Sequence, residues 1–206
     1  VRRVVFAGSS SVYGDQPGDA KHEGMRREPL SPYAAAKAAC EHYLRAFHAC
    51  YGLETIGLRY FNVFGPRQRP DSAYAAVIPK FISAMLAGER PTVYGDGRQA
   101  RDFTYVDNNV WANWLAATAQ CRACGQVYNI AGGDTRSVLD LVAALNKQLG
   151  AAIDPEFAAA RVGDIRLSRA DIRRARADLG YSVRTPFDDG LAKTLGWFRE
   201  SAARTV

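Results

Sequence analysis

The chain has 206 residues, 48% of them hydrophobic and 23% charged, which is enough for one substantial core in a water-exposed domain. No apolar run approaches the roughly 20 residues of a membrane span, and residues 1–7 lack a secretory leader's layout, so a cytoplasmic protein with no membrane partner is expected. The net charge of +6 is spread along the chain and is densest only at residues 169–176, which argues against a nucleic-acid face and for arginines that read a phosphate ligand.

Residues 3–8 form a short apolar run that reads as a buried strand. It leads into Ser9-Ser10-Ser11-Val12-Tyr13-Gly14. Open α/β sheets bind ligands beyond the carboxyl ends of their strands, so the triple serine is well placed for a polar substrate. A polar loop over residues 15–30 follows. Ser31 then caps a helix, and Pro32 suits its first position. The helix runs to about residue 51. At 100° per residue, Cys40, Leu44, Phe47 and Tyr51 fall within about 40° of Tyr33, so this stripe is expected to face the core. Lys37 lies at its edge and must be paired or used, because an unpartnered buried ammonium is costly. One turn from Tyr33, its charge favours the phenolate, the form a phenol takes as a general base.

Residues 54–61 read as the next strand and run into Asn62-Val63-Phe64-Gly65-Pro66-Arg67. A helix over residues 74–86 carries Val77, Phe81 and Met85 at four-residue spacing, and Pro79 implies a kink or a start near residue 78. Short strands follow at residues 91–94 and 101–106, separated by the turn Gly95-Asp96-Gly97. Asp107 is expected to cap a helix to about residue 119, and residues 127–130 form a strand that ends at Gly132-Gly133. Ser137 caps a helix to about residue 149. Residues 154–158 are extended, and helices over 171–179 and 187–199 close the chain, with Gly180 stopping the first of them. Alternation of strand and helix implies a mainly parallel sheet with crossover helices. Cys121 and Cys124 have no second Cys or His pair at zinc spacing, and Cys40 falls on the core stripe, so reduced thiols and no metal site are expected. No G-x-G-x-x-G follows a strand; Gly14, Gly18 and Gly24 lie in the polar loop, leaving no pyrophosphate cradle.

In order and spacing, these landmarks resemble the extended short-chain dehydrogenase/reductases, specifically the NAD-dependent nucleotide-sugar epimerases. They are Ser9 to Gly14, Tyr33-x-x-x-Lys37, the run from Leu58 to Pro66, Gly95-Asp96-Gly97 with Arg101-Asp102-Phe103, Tyr128 to Gly133, and Arg161-x-Gly163-Asp164. The resemblance covers nearly the whole chain. It implies an α/β fold, a partial Rossmann-like mainly parallel sheet with a small C-terminal α/β substrate-binding region. Residues 1–66 and 107–133 would be the C-terminal part of the NAD-binding domain, and 67–106 with 134–206 the nucleotide-sugar region. Such proteins carry a Gly-rich N-terminal stretch of about 100 residues before the serine strand, at roughly 30 residues per βαβ unit. This chain resembles the C-terminal two-thirds of one, so weak NAD binding and impaired activity are expected of it alone.

The resemblance assigns roles by position. Tyr33 as tyrosinate would take the proton of the sugar C4 hydroxyl. Lys37 would tune it and bond the nicotinamide ribose, and Ser9 would hold the same hydroxyl. Hydride would leave C4 for NAD and return to the other face of a 4-keto sugar. Tyr60, Phe61 and Val63 would border the nicotinamide. Ser10 and Ser11 would contact the sugar. Asn62, Ala76, Val77, Tyr94, Arg101 and Arg161, with Asp164 beside them, would hold the nucleotide diphosphate. Ser168, four residues after Asp164, stands where the 4-epimerases gate the sugar's C2 substituent, and a small residue leaves room for an N-acetyl group. The resemblance is strongest to UDP-N-acetylglucosamine 4-epimerases, acting on a UDP-sugar and dimerising as homodimers through the Tyr-Lys helix. The alternatives are a UDP-glucuronate epimerase or decarboxylase, and an inactive fragment that cannot hold NAD. A 4,6-dehydratase would carry an Asp-Glu pair where Ser10 and Ser11 stand.

Overall fold

The computed structural model describes residues 1–70, 77–160 and 165–203. Its centre is a three-stranded sheet of β1 (Arg3–Ser9), β2 (Glu54–Tyr60) and β7 (Gln126–Ile130), in the order β1-β2-β7 and parallel throughout. Parallel neighbours need crossover connections. The first is α1 (Pro32–Tyr51), and the second runs through α2 (Val77–Leu86) and α3 (Val106–Thr118). Both α1 and α3 pack on β1 and β2.

Around this sheet lie smaller ones. β3 (Val63–Phe64) pairs with β6 (Thr104–Tyr105), and β4 (Thr92–Tyr94) with β9 (Glu156–Ala158). β5 (Ala100–Asp102) lies between β8 (Thr135–Ser137) and β10 (Leu167–Ser168). The expected strand at residues 101–106 is therefore two strands in different sheets, interrupted at Phe103, which turns into a core with Phe64 and Phe187. That second core gathers α2, α4 (Val138–Leu149) and α6 (Phe187–Ala203). The first core lies on the central sheet and also takes Ala175 and Leu179 of α5 (Arg173–Leu179).

Local signals placed most helix ends. The Ser31 side chain accepts from Ala34 N, and Gly52 ends α1 at φ 67°. Ser137 and Asp140 form a reciprocal capping box at α4. The described part of α2, Val77–Leu86, includes Pro79; residues 74–76 of the expected helix lie outside the described residues. Two starts differ. Helix α3 begins at Val106 with Tyr105 as its N-cap, placing Asp107 in the first turn rather than at the cap. Helix α5 begins at Arg173, because Asp171 Oδ1 accepts from Arg173 N at 2.9 Å and holds the preceding turn.

The face that α1 buries also differs from expectation. Ala34, Ala38 and Glu41 are buried, whereas Phe47 and Tyr51 are 46% and 77% exposed and Cys40 and Leu44 only half-buried. Two alanines let the helix lie close on the sheet. Glu41 is drawn in by Arg59 of β2, whose Nε and Nη2 donate to its two carboxylate oxygens at 2.7 and 2.6 Å. Burial alone pulls the Arg59 pKa down, but the Glu41 bonds and charge, with Tyr13, outweigh it and hold the guanidinium above its ordinary value.

Candidate active site

The parallel register sets Ser9, Tyr60 and Ile130 side by side at the carboxyl ends of the central strands. Beyond β1 the chain turns through a 3₁₀-helix, Ser10–Tyr13. Ser9 caps it, its Oγ accepting from Ser11 N at 3.2 Å and lying 2.9 Å from Ser11 Oγ. Tyr13 points inward, donating to Asn129 Oδ1 at 2.7 Å under the Arg59 guanidinium. Burial, set against Arg59, pushes its phenol up to about 12, so Tyr13 is a neutral structural hydroxyl.

A cavity of about 480 Å³ opens over these strand ends. Ser9, Ser10 and Ser11 form one wall and Tyr33, half-exposed at the start of α1, another. Tyr60, Phe61, Asn62 and Val63 come from the end of β2 and the loop after it, and Arg101 and Ser168 from β5 and β10. Phe61 is wholly buried against Tyr13, 6.2 Å between rings, and braces this wall. Tyr60 Oη accepts from Asn113 Nδ2 at 2.6 Å; burial raises its pKa despite that bond. Asn62 adopts a left-handed backbone, φ 35°, and its amide donates to Asp102 O at 3.2 Å and Ser168 Oγ at 3.4 Å.

Lys37 is half-buried, beside a stripe that is largely exposed rather than buried. Its ammonium donates to Ala7 O of β1 at 2.8 Å and stands 5.6 Å from the centre of the Tyr33 ring, behind the tyrosine rather than in the cavity wall. Tyr33 and Lys37 therefore share one side of α1, and the serines line the same space as the tyrosine.

A second cavity of about 230 Å³ adjoins the first through Asn62, Val63 and Arg101. Val77, Tyr94 and Phe103 line it. The second cavity is mainly apolar, and Arg101 is common to both. The strand carrying Arg101 is anchored by Asp102, whose Oδ1 accepts from Gly133 N at 3.0 Å. Burial raises the Asp102 carboxyl to about 7 against the backbone N–H groups of Ala170, Gly133 and Gly132.

Ala76, Arg161 and Asp164 lie outside the described residues. Lys21, Ile165 and Leu167 also line the first cavity, and sequence reasoning did not single them out. Lys21 sits in a polar loop without periodicity, and only its bridge to Ala170 brings it to the site.

Tyr33 and Tyr60 bring their phenol groups to the first cavity, while the Lys37 ammonium is engaged with Ala7 O. Beyond β1 stands the serine turn, and among the described residues no glycine-rich turn opens a helix there.

Residues 1–131 match the NAD dependent epimerase/dehydratase family, and the chain belongs to that family. Among its relatives is the UDP-glucose 4-epimerase of Mycolicibacterium smegmatis, 38% identical over 98% of this chain and 64% of that protein. Among solved structures, a UDP-N-acetylglucosamine 4-epimerase from Methanobrevibacter ruminantium, in complex with UDP-N-acetylmuramic acid, superimposes with a TM-score of 0.91 at 43% identity. That match covers 98% of this chain and 64% of the other. A UDP-glucuronic acid 4-epimerase from Bacillus cereus, with UDP-glucuronic acid and NAD, gives 0.88 at 34% identity, covering 97% and 62%. The chain thus spans somewhat less than two thirds of the length of these relatives.

Proposed function

We propose that this chain is the substrate-side part of an NAD-dependent UDP-sugar 4-epimerase, and that its sugar is a UDP-N-acetylhexosamine, interconverting the glucosamine and galactosamine forms. The observation that carries the reading is the single cavity that unites Ser9, Ser10 and Ser11 with Tyr33, Asn62, Arg101 and Ser168 at the strand ends. In this reading Tyr33 accepts the proton of the C4 hydroxyl, with the Lys37 ammonium 5.6 Å from the centre of its ring. Ser9 and Ser11 share one hydrogen bond, so the pair can present a hydroxyl to the same oxygen. Arg101 stands where it can reach a phosphate from either cavity. The small Ser168 leaves room at C2. The chemistry supplied by bound NAD is acceptance and return of hydride at C4. Tyr33 and Lys37 would hold its ribose, beside Tyr60, Phe61 and Val63.

We infer that these 206 residues on their own bind NAD weakly and turn over slowly. Calorimetry of the purified chain tests both halves. UDP-N-acetylglucosamine is expected to bind at least as tightly as UDP-glucose while NAD gives little heat, and a strong preference for UDP-glucose refutes the amino-sugar assignment. Tyr43, Phe47 and Tyr51 are exposed along α1, and in this reading a second copy covers them, which sedimentation would register as a dimer.

A further inference from the structure

Lys21 is 5% exposed, lines the larger cavity and is not used in the chemistry above. Its ammonium donates to the Gln16 carbonyl oxygen. Among the described residues no carboxylate pairs with it. Of the two acids nearest in sequence, Asp19 is exposed and Glu23 is engaged elsewhere, its Oε1 accepting from Asn129 N at 2.8 Å. A buried ammonium that meets only a neutral dipole is costly, and the cost falls when an anion arrives. The position is also rigid. Lys21 N donates to Arg169 O at 2.8 Å, and its own carbonyl accepts from Asp171 N at 2.9 Å and Asn129 Nδ2 at 2.9 Å. This bridge to Ala170 fixes Lys21 two residues from the segment that supplies Ser168 to the same cavity.

We propose that Lys21 is a specificity-determining residue that binds a carboxylate carried by the hexose, so that an acidic UDP-sugar is held more tightly than its neutral counterpart. With Ser168 leaving room at C2, an N-acetylhexosaminuronate satisfies both groups. The claim rests on the nucleotide-sugar reading of the cavity and adds the charge of the sugar to it.

Calorimetry on the 206-residue chain tests the claim with UDP-glucuronate against UDP-glucose, and with UDP-N-acetylglucosamine against its 6-carboxylate. UDP alone serves as the control. Within each pair the acid should bind about 10–100-fold more tightly, the range of one charge-assisted hydrogen bond, and the ratio should shrink as salt is added. Lys21→Met should bring the ratio to near one without altering UDP affinity, and Lys21→Arg should retain it. Equal wild-type affinities within each pair, or a preference that survives in Lys21→Met, overturns the proposal. Should Lys21→Met fail to fold, the wild-type ratio and its salt dependence still decide. If UDP itself does not bind, the nucleotide-sugar reading falls; if UDP binds and the carboxylate adds nothing, only the role of Lys21 falls.

Discussion

Replacing Glu41 with leucine should cost this protein a large part of its stability. Glu41 and Arg59 are 3% and 1% exposed and joined by two charge-assisted bonds of 2.7 and 2.6 Å. Glu41→Leu leaves a buried guanidinium whose Nη1 already lacks a hydrogen-bond partner among the described residues, 4.6 Å from the centre of the Tyr13 ring. Orphaning one member of such a pair costs about 3–5 kcal/mol, against total stabilities of roughly 5–15 kcal/mol. Arg59→Met should cost less, because Arg27 Nη1 lies 3.5 Å from the Glu41 carboxylate and can take over part of the pairing. The double variant Glu41→Leu/Arg59→Met removes both charges and fills the space with apolar atoms, so it should cost under about 2 kcal/mol. Urea unfolding followed by circular dichroism reads this directly. At a slope of about 2–3 kcal/mol per molar, Glu41→Leu moves the midpoint down by about 1–2 M, and the double variant recovers most of it. Single-variant losses that merely add in the double variant, or a Glu41→Leu shift too small to resolve, would refute the claim that this pair seats helix α1.

Three further outcomes follow from the site. Asp102 titrates near 7 when folded, against its ordinary 3.8. Between those values the folded chain holds a proton that the unfolded chain has released. The stability linked to that proton is therefore complete below about pH 4 and lost as pH rises to about 7, a change of order 4 kcal/mol. Asp102→Asn should flatten this slope in thermal melts taken across the window, and an unchanged slope contradicts the assignment. Gly14 has φ 63°, and a Cβ there would run into the Glu28 carbonyl oxygen. Gly14→Ala should thus cost about 2–4 kcal/mol in urea unfolding, from backbone strain and overpacking together; a neutral result would mean that the turn relaxes freely. Ser168→Tyr should fill the space beside Asn62, weakening UDP-N-acetylglucosamine by about tenfold or more while UDP affinity stays constant. Equal losses for both ligands would place Ser168 away from the sugar.

Much of this was legible along the chain because it is local. Ser31, the Ser137–Asp140 box and Gly180 mark helix ends through bonds that span at most a few residues. The spacing of Tyr33 and Lys37 sets both on one side of α1 whatever the helix packs against. The serines follow an apolar strand, so they sit at a carboxyl end in any parallel sheet. Other features depend on residues far apart, and no periodicity encodes them. The helix α1 carries apolar side chains over most of its circumference, so its own pattern could not choose the buried face. The choice fell to Arg59, eighteen residues after Glu41. Lys21 reached the cavity through a backbone bridge to a segment about 150 residues away, and Phe103 broke an expected strand by turning into a core shared with α6. Capping and helical phase are settled by neighbours in sequence; desolvation and charge pairing are settled only by whatever the folded chain brings alongside, and these decided which groups are buried, which carboxylate is raised towards neutrality and which lysine lines the cavity.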